Sequence, residues 1–257
     1  MVRSNHRNKL IIKLLRAWLI SLIEAGIQPR SVNRKIATLR TYYKFLRKQG
    51  TILNDPMLKI KVLKSKKSLP YFINEPDIIK MLDEHNYGDE FQGIRDKLML
   101  ELLYGTGIRL SELIGLKSQD VNLREGTIKV LGKRNKERII PLNQELITLI
   151  KKYQIQKIHM FPGNDNSNLI VNNDGGKCYP MLIYRTVKKY LEIFTLVEKK
   201  SPHILRHTFA THLLDKGADL NAVKDLLGHS SLAATQVYTH NSLEKLKKVF
   251  DQAHPKA

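Results

Sequence analysis

Cysteine is almost missing: Cys178 stands alone in 257 residues. An intrachain disulfide is thereby excluded, and a thiolate metal cluster has too few ligands. That usage fits a reducing, cytoplasmic setting. Long apolar runs are missing as well. The longest near the N-terminus, Leu10 to Ile23, is interrupted by Lys13 and Arg16, too charged for a membrane span, and no secretory cleavage pattern accompanies it. The third shortage is of acidic residues, and it is local. Residues 1–70 hold 17 Lys and Arg against only Glu24 and Asp55, a net of +15, whereas residues 71–257 hold 27 against 22. A folded segment that basic points to a polyanion, nucleic acid before all, over a merely solvated face.

Apolar residues make up 42% of the chain, enough for a core in one large or two modest domains. Helical periodicity predicts two N-terminal helices. In 9–24 the apolar positions are Leu10, Leu14, Ala17, Trp18 and Leu22. In 31–49, opened by Pro29 and Ser31 and closed by Gly50, they are Val32, Ile36, Leu39, Tyr43 and Leu46. Lys and Arg fill the other faces, so Arg34, Arg40 and Lys44 are candidate DNA contacts. KVLKSKKSLP, residues 61–70, has a linker composition, and its Lys66 and Lys67 can lie against phosphates. Asn74 is predicted to cap a helix with Glu75 and Asp77 in its first turn. Further helices are expected at about 92–104, from Leu110, at 145–158, and over most of the remainder. TIKVLGKRNKERIIPL, residues 127–142, predicts two short strands joined by a basic turn, and 162–180 is loop-rich around the apolar piece Leu169 to Val171. The fold class is mainly α with a small β-sheet, in two domains: 1–63 helical, 64–71 a basic linker, and 72–257 carrying the chemistry.

That chemistry is spread over three settings: GTGIRLSEL, SPHILRHTFATHLL and LLGHSSLAATQVYTH. In the second, Ser201 and Pro202 open a helix, and His203 and Arg206 lie three apart on one of its faces. A helix start bearing His and Arg suits a phosphate. His203 and His207, four apart, also raise a metal reading, but the HExxH glutamate is absent and no carboxylate lies within the cluster; no metal and no cofactor are expected. His207 and His212 are read as packing or polar-network residues. In the first setting Arg109 follows a two-glycine turn, with Ser111 and Glu112 able to cap or orient its guanidinium. Alone it would be a surface arginine at a helix start. Lys133 stands at the tip of the basic turn, where a flexible ammonium can reach a minor groove and protonate a departing 5′ oxygen; alone it would be solvated. Arg134, Lys136 and Arg138 are candidate backbone-phosphate contacts. In the third setting Gly228 ends a short helix from about Leu220, His229 follows, and Tyr238 lies nine residues on. A lone tyrosine there would be packing. Two arginines, two imidazoles and a tyrosine together are what metal-free attack on a phosphodiester requires. Guanidiniums clamp the non-bridging oxygens, imidazoles move protons or donate hydrogen bonds, and a phenol oxygen attacks phosphorus.

GTGIRLSEL, the GKRNKERIIPL hairpin, HILRHTFATHLL, LLGHSS, the tyrosine of VYTH and the ending EKLKKVFDQAHPKA resemble the tyrosine recombinases of the phage-integrase family, most closely the bacterial Xer recombinases. The resemblance runs from about Asn33 to the C-terminus. It implies a helical core-binding (SAM-like) domain and an α/β-type tyrosine recombinase catalytic domain closing as a C-shaped clamp on double-stranded DNA. It implies Arg109, His203, Arg206 and His229 activating the scissile phosphate, Lys133 as general acid, and Tyr238 as nucleophile forming a 3′-phosphotyrosyl bond, without metal or ATP. It implies a homotetramer on two duplexes, or a heterotetramer with a second recombinase, in which the last helix docks into a neighbour, and an FtsK-type DNA translocase as a further partner. Two departures stand out. Xer proteins carry more helices before the segment matching 31–49, so a shortened N-terminal domain is expected. The hairpin has Arg134 where the family often has glycine, which stiffens the turn and adds a phosphate contact. Dimer resolution on chromosomes or plasmids is the leading role. An integrase of a mobile element, a DNA-binding protein without catalysis, and a type IB topoisomerase are the alternatives.

Overall fold

Apolar periodicity does build the N-terminal helices, but the first one turns a different stripe inward from the one expected. The computed structural model describes residues 2–64, 71–132, 135–228, 247, 249–250 and 252–253. Helix α1 (Val2–Glu24) buries Ile12 and packs Leu15, Leu19 and Leu22 beside it. Leu10 and Leu14, expected inside, are 55% and 62% exposed. At 3.6 residues per turn, positions 12, 15, 19 and 22 share one face and 10 and 14 fall opposite it, so only one of two competing stripes can face the core. Helix α2 (Pro29–Lys48) starts on a proline whose missing N–H costs nothing in the first turn. It buries Val32 and Ile36, with Leu39 and Tyr43 alongside. Asp55 accepts a hydrogen bond from the Met57 amide at 2.8 Å, capping the 3-10 turn Pro56–Lys59, and Met57 and Ile60 complete this small core. The Asn33 side chain donates to the Leu63 carbonyl (2.9 Å) and accepts from its amide (2.8 Å), holding residue 63 against α2. The chain divides into two compact units, Met1–Leu69 and Pro70–Ala257.

In the second unit the Asn74 side chain accepts from the Asp77 amide at 2.8 Å and caps α3 (Glu75–Ile79), which runs into a π-helical turn at Lys80–Glu84. Helix α4 (Phe91–Gly105) is buried on almost every face and takes Arg95, Asp96 and Glu101 inside along with its apolar residues. Around it pack α5 (Leu110–Gly115), α6 (Gln144–Met160), α7 (Pro180–Phe194) and α8 (Pro202–Asp215). Beside α5 lies an antiparallel sheet in the order β1 (Val121–Asn122), β2 (Thr127–Leu131), β3 (Glu137–Pro141). Strand β1 is too short for its periodicity to announce it. Ile128 pairs with Ile140 and Val130 with Arg138, and all four are buried, whereas Lys129, Leu131 and Glu137 face outward. The strict two-residue alternation of a strand thus puts an arginine on the core face.

Asp219 caps α9 (Leu220–Leu227) through the amides of Asn221 and Ala222, and Gly228, at φ 61°, ends it in the left-handed conformation that favours glycine. Phe250 and Ala253, near the C-terminus, are buried in the core of the second unit. Cys178 is buried too, and burial pushes its thiol up to about 11, which keeps it protonated and unreactive. Among the described residues no helix is long and apolar enough to cross a membrane.

Candidate active site

The site begins with a guanidinium that the fold forces inside. Pro202 occupies the first turn of α8 after an extended Ser201, whose hydroxyl makes no capping bond. One turn on, Arg206 is 8% exposed between fully buried Leu205 and Phe209. A charge at that depth has to give its N–H groups to acceptors. Arg206 donates to the Gly107 carbonyl and, at 2.6 Å, to the Leu227 carbonyl. Burial first, then the nearby charges of Arg109 and Arg138, lower its pKa to about 10. The Glu112 charge opposes that shift.

Arg109 precedes α5 in extended backbone. The glycine before it matters sterically. Gly107 has φ 60°, and a Cβ there would lie 2.5 Å from the Phe209 ring and 2.9 Å from Leu227. Glycine alone lets this loop lie against α8 and α9. Glu112, one turn into α5, reaches back. Its Oε2 accepts from the Arg109 amide (2.8 Å) and its Oε1 from the Arg109 guanidinium (2.7 Å). A second guanidinium nitrogen of Arg109 donates to the Gly228 carbonyl at 3.3 Å.

Arg138 was expected to meet backbone phosphate, but its surroundings are internal. It is 4% exposed, and its two terminal nitrogens donate to both oxygens of Glu112, at 3.0 and 2.8 Å, while Nε donates to the Leu226 carbonyl at 2.8 Å. Three successive carbonyls at the end of α9, those of Leu226, Leu227 and Gly228, thus each accept from a different arginine: Arg138, Arg206 and Arg109. These carbonyls have no partner within the helix and sit at its negative end, which suits cations. Burial alone would raise the Glu112 pKa. Hydrogen bonds from Arg138 and the Arg109 amide, the Arg138 charge and the Arg109 guanidinium outweigh it and hold the carboxyl at about 2. Two guanidiniums, those of Arg109 and Arg138, share this one carboxylate, and Arg206 is held by main-chain carbonyls instead.

The remaining candidates divide by position. His203 and His207 are exposed on α8. His212 is buried; its Nε2 meets the Ile73 carbonyl at 2.9 Å, so that nitrogen carries the proton, and Nδ1 accepts from the Tyr104 hydroxyl at 3.0 Å. Lys136, Arg34 and Lys44 are exposed, and Arg40 is exposed although it gives one N–H to the Ile60 carbonyl at 2.7 Å. Lys66, Lys67, Lys133, Arg134, His229 and Tyr238 lie outside the described residues. Among the described residues no three His, Cys, Asp or Glu side chains are grouped to hold a metal ion. The arginine-binding carbonyls of α9 were not read from the sequence, since main-chain atoms carry no residue signal.

Residues 72–245 match the phage integrase family. Tyrosine recombinase XerC of Chlorobaculum parvum is 40% identical, over 95% of this chain and 78% of that protein. XerC of Thermodesulfovibrio yellowstonii is 41% identical, over 94% of this chain and 81% of its own length. Among solved structures, the XerH site-specific recombinase bound to its palindromic difH substrate in a post-cleavage complex is similar. Its TM-score is 0.72 and its identity 27%, over 94% of this chain and 70% of that one.

Proposed function

This chain belongs to the phage integrase family, the tyrosine recombinases, and from that premise we propose a site-specific recombinase whose chemistry runs on the arginine cluster at the end of α9. The observation that carries the reading is the convergence of Arg109 and Arg206, from separate segments, on the adjacent carbonyls of Gly228 and Leu227. In the proposed reaction the two guanidiniums hold the non-bridging oxygens of the scissile phosphate and balance the charge that builds up as phosphorus becomes five-coordinate. His203 and His229 assist by hydrogen bonding or proton transfer. The Tyr238 oxygen attacks phosphorus as its proton passes to one of these imidazoles acting as base, the bond to the 5′ oxygen breaks, and the Lys133 ammonium gives that oxygen its proton. One phosphodiester is exchanged for a 3′-phosphotyrosyl ester, so no nucleotide hydrolysis is needed to reseal it.

The proposed substrate is a duplex recombination site bound by a helical core-binding domain at 1–63 and a catalytic domain at 72–257, with 64–71 linking them. Four protomers, alone or with a second recombinase, would synapse two duplexes and exchange strands through a Holliday junction. Resolution of chromosome or plasmid dimers in the cytoplasm, under an FtsK-type translocase, is the role favoured by similarity to XerC proteins over most of the chain. The strong positive charge of residues 1–70 supports a DNA partner. Arg206→Ala tests the assignment. Covalent cleavage should fall by roughly 10²–10³-fold, the cost of removing one preorganised donor from a developing oxyanion, while duplex affinity falls far less. Equal losses in both would show that Arg206 serves binding only.

A further inference from the structure

Arg138 is the arginine of this cluster that the proposed chemistry does not use. It sits on β3, two residues from the exposed Lys136 and on the strand that leaves the basic turn, which by composition alone makes it one more phosphate contact. The geometry says otherwise. All three kinds of nitrogen in its guanidinium are occupied, two by Glu112 and one by the Leu226 carbonyl. Its side chain is 5% exposed and that of Glu112 4%. It also packs on Gly228, where a Cβ would come within 3.2 Å of the Arg138 Cδ and guanidinium.

Building on the recombinase reading, we infer that Arg138 is a positioning residue that ties three motifs into one rigid site. By gripping both Glu112 oxygens it fixes the carboxylate that in turn holds the backbone and the guanidinium of Arg109. By donating to the Leu226 carbonyl it fixes the end of α9, the platform for Arg206 and Arg109 and the entry to His229. Because it stands on β3, it also sets the sheet that bears the basic turn against that platform. A planar fork is required for this; lysine has one point charge and cannot meet two oxygens and a carbonyl together.

The test uses the full chain, with duplex affinity measured over a range of salt and covalent adduct formed on a nicked duplex, for wild type, Arg138→Gln, Arg138→Lys, Glu112→Gln and the double variant Arg138→Gln/Glu112→Gln. A positioning role predicts that Arg138→Gln keeps its DNA affinity and the wild-type slope of log affinity against log salt. Its rate of adduct formation falls by at least about tenfold, and Arg138→Lys rescues it only in part. In the Glu112→Gln background the same change loses clearly less, because part of its route of action is already gone. A slope shallower by about one, with affinity and adduct falling together, would make Arg138 a phosphate contact and overturn the inference. So would an undiminished loss in the Glu112→Gln background. If Arg138→Gln does not fold, the double variant, which removes both members of the buried Arg138–Glu112 pair, is compared with Glu112→Gln in the same two measurements. Wild-type protein that forms no Tyr238-dependent adduct would count against the recombinase reading itself, and the salt slope would still decide whether Arg138 meets phosphate.

Discussion

Glu112 is the residue on which the arginines agree. Its carboxylate is 4% exposed and faces Arg109 and Arg138 at 2.7 and 2.8 Å, so its ionised form is held by charge-assisted bonds despite its burial. A carboxyl held at about 2 in the folded chain adds stability that is complete above its ordinary value of about 4.3, and that stability is lost as pH falls toward 2. Glu112→Gln should remove this acid-sensitive part of the melting curve. It should also cost about 3–5 kcal/mol near neutral pH, because two guanidiniums then lose their anion in a dry site. Melting temperatures of both proteins at pH 7 and pH 3 check this; a variant as stable as wild type would mean that water already screens the cluster. Arg109 and Arg206 were legible in the sequence because each stands in a motif with a distinctive local shape, a two-glycine turn and a proline-started helix. Arg138 was not. Its role depends on facing the core beside Ile140 and opposite Val130, and a basic stretch such as GKRNKER does not reveal which of its charges point inward.

At the level of elements, two joints hold the catalytic unit in register. One is the end of α9, where Gly228 in the left-handed region releases three carbonyls to three arginines. The other lies where the chain enters the unit. The Ile73 amide donates to the Thr208 hydroxyl at 3.0 Å, the Ile73 carbonyl accepts from His212 at 2.9 Å, and Lys216 pairs with Glu75 at 2.8 Å, fastening the entry to α8. Burial lowers the pKa of His212. The bond to Ile73 and the charges of Glu75 and Asp215 oppose that, and Lys216 adds to it. The unfolded chain therefore takes up a proton first. Stability is complete above the ordinary imidazole value of about 6.5 and declines as pH drops below it. Wild type should lose melting temperature between pH 7 and pH 5, and His212→Gln, less stable at pH 7, should lose less over the same interval. Parallel curves would show that His212 does not carry this dependence. Helix positions were largely legible, because a cap such as Asn74 and a stop such as Gly228 are local chemistry. The inward stripe of α1 was not, because Leu10, Leu14 and Trp18 compete with Ile12, Leu15, Leu19 and Leu22, and only tertiary packing chooses between them.

At the scale of the whole molecule, charge and chemistry are separated along the chain. Residues 1–70 carry most of the positive excess, and the arginine cluster lies entirely in the second unit. This division was plain in composition and motif order. Partner number was not, since assembly is set by surfaces that one chain does not pair. The central claim is that a tyrosine of this chain forms a covalent bond to DNA beside those arginines. It is tested most directly with a radiolabelled duplex library, nicked to trap the cleaved state, incubated with wild type and with Tyr238→Phe and resolved on a denaturing gel. The account predicts a protein–DNA band that carries the 3′ end, appears only with wild type, and yields the recognition site on sequencing, while Tyr238→Phe still binds the duplex. A covalent band of equal strength from Tyr238→Phe, or tight binding by wild type with no covalent band on any nicked site, would contradict it.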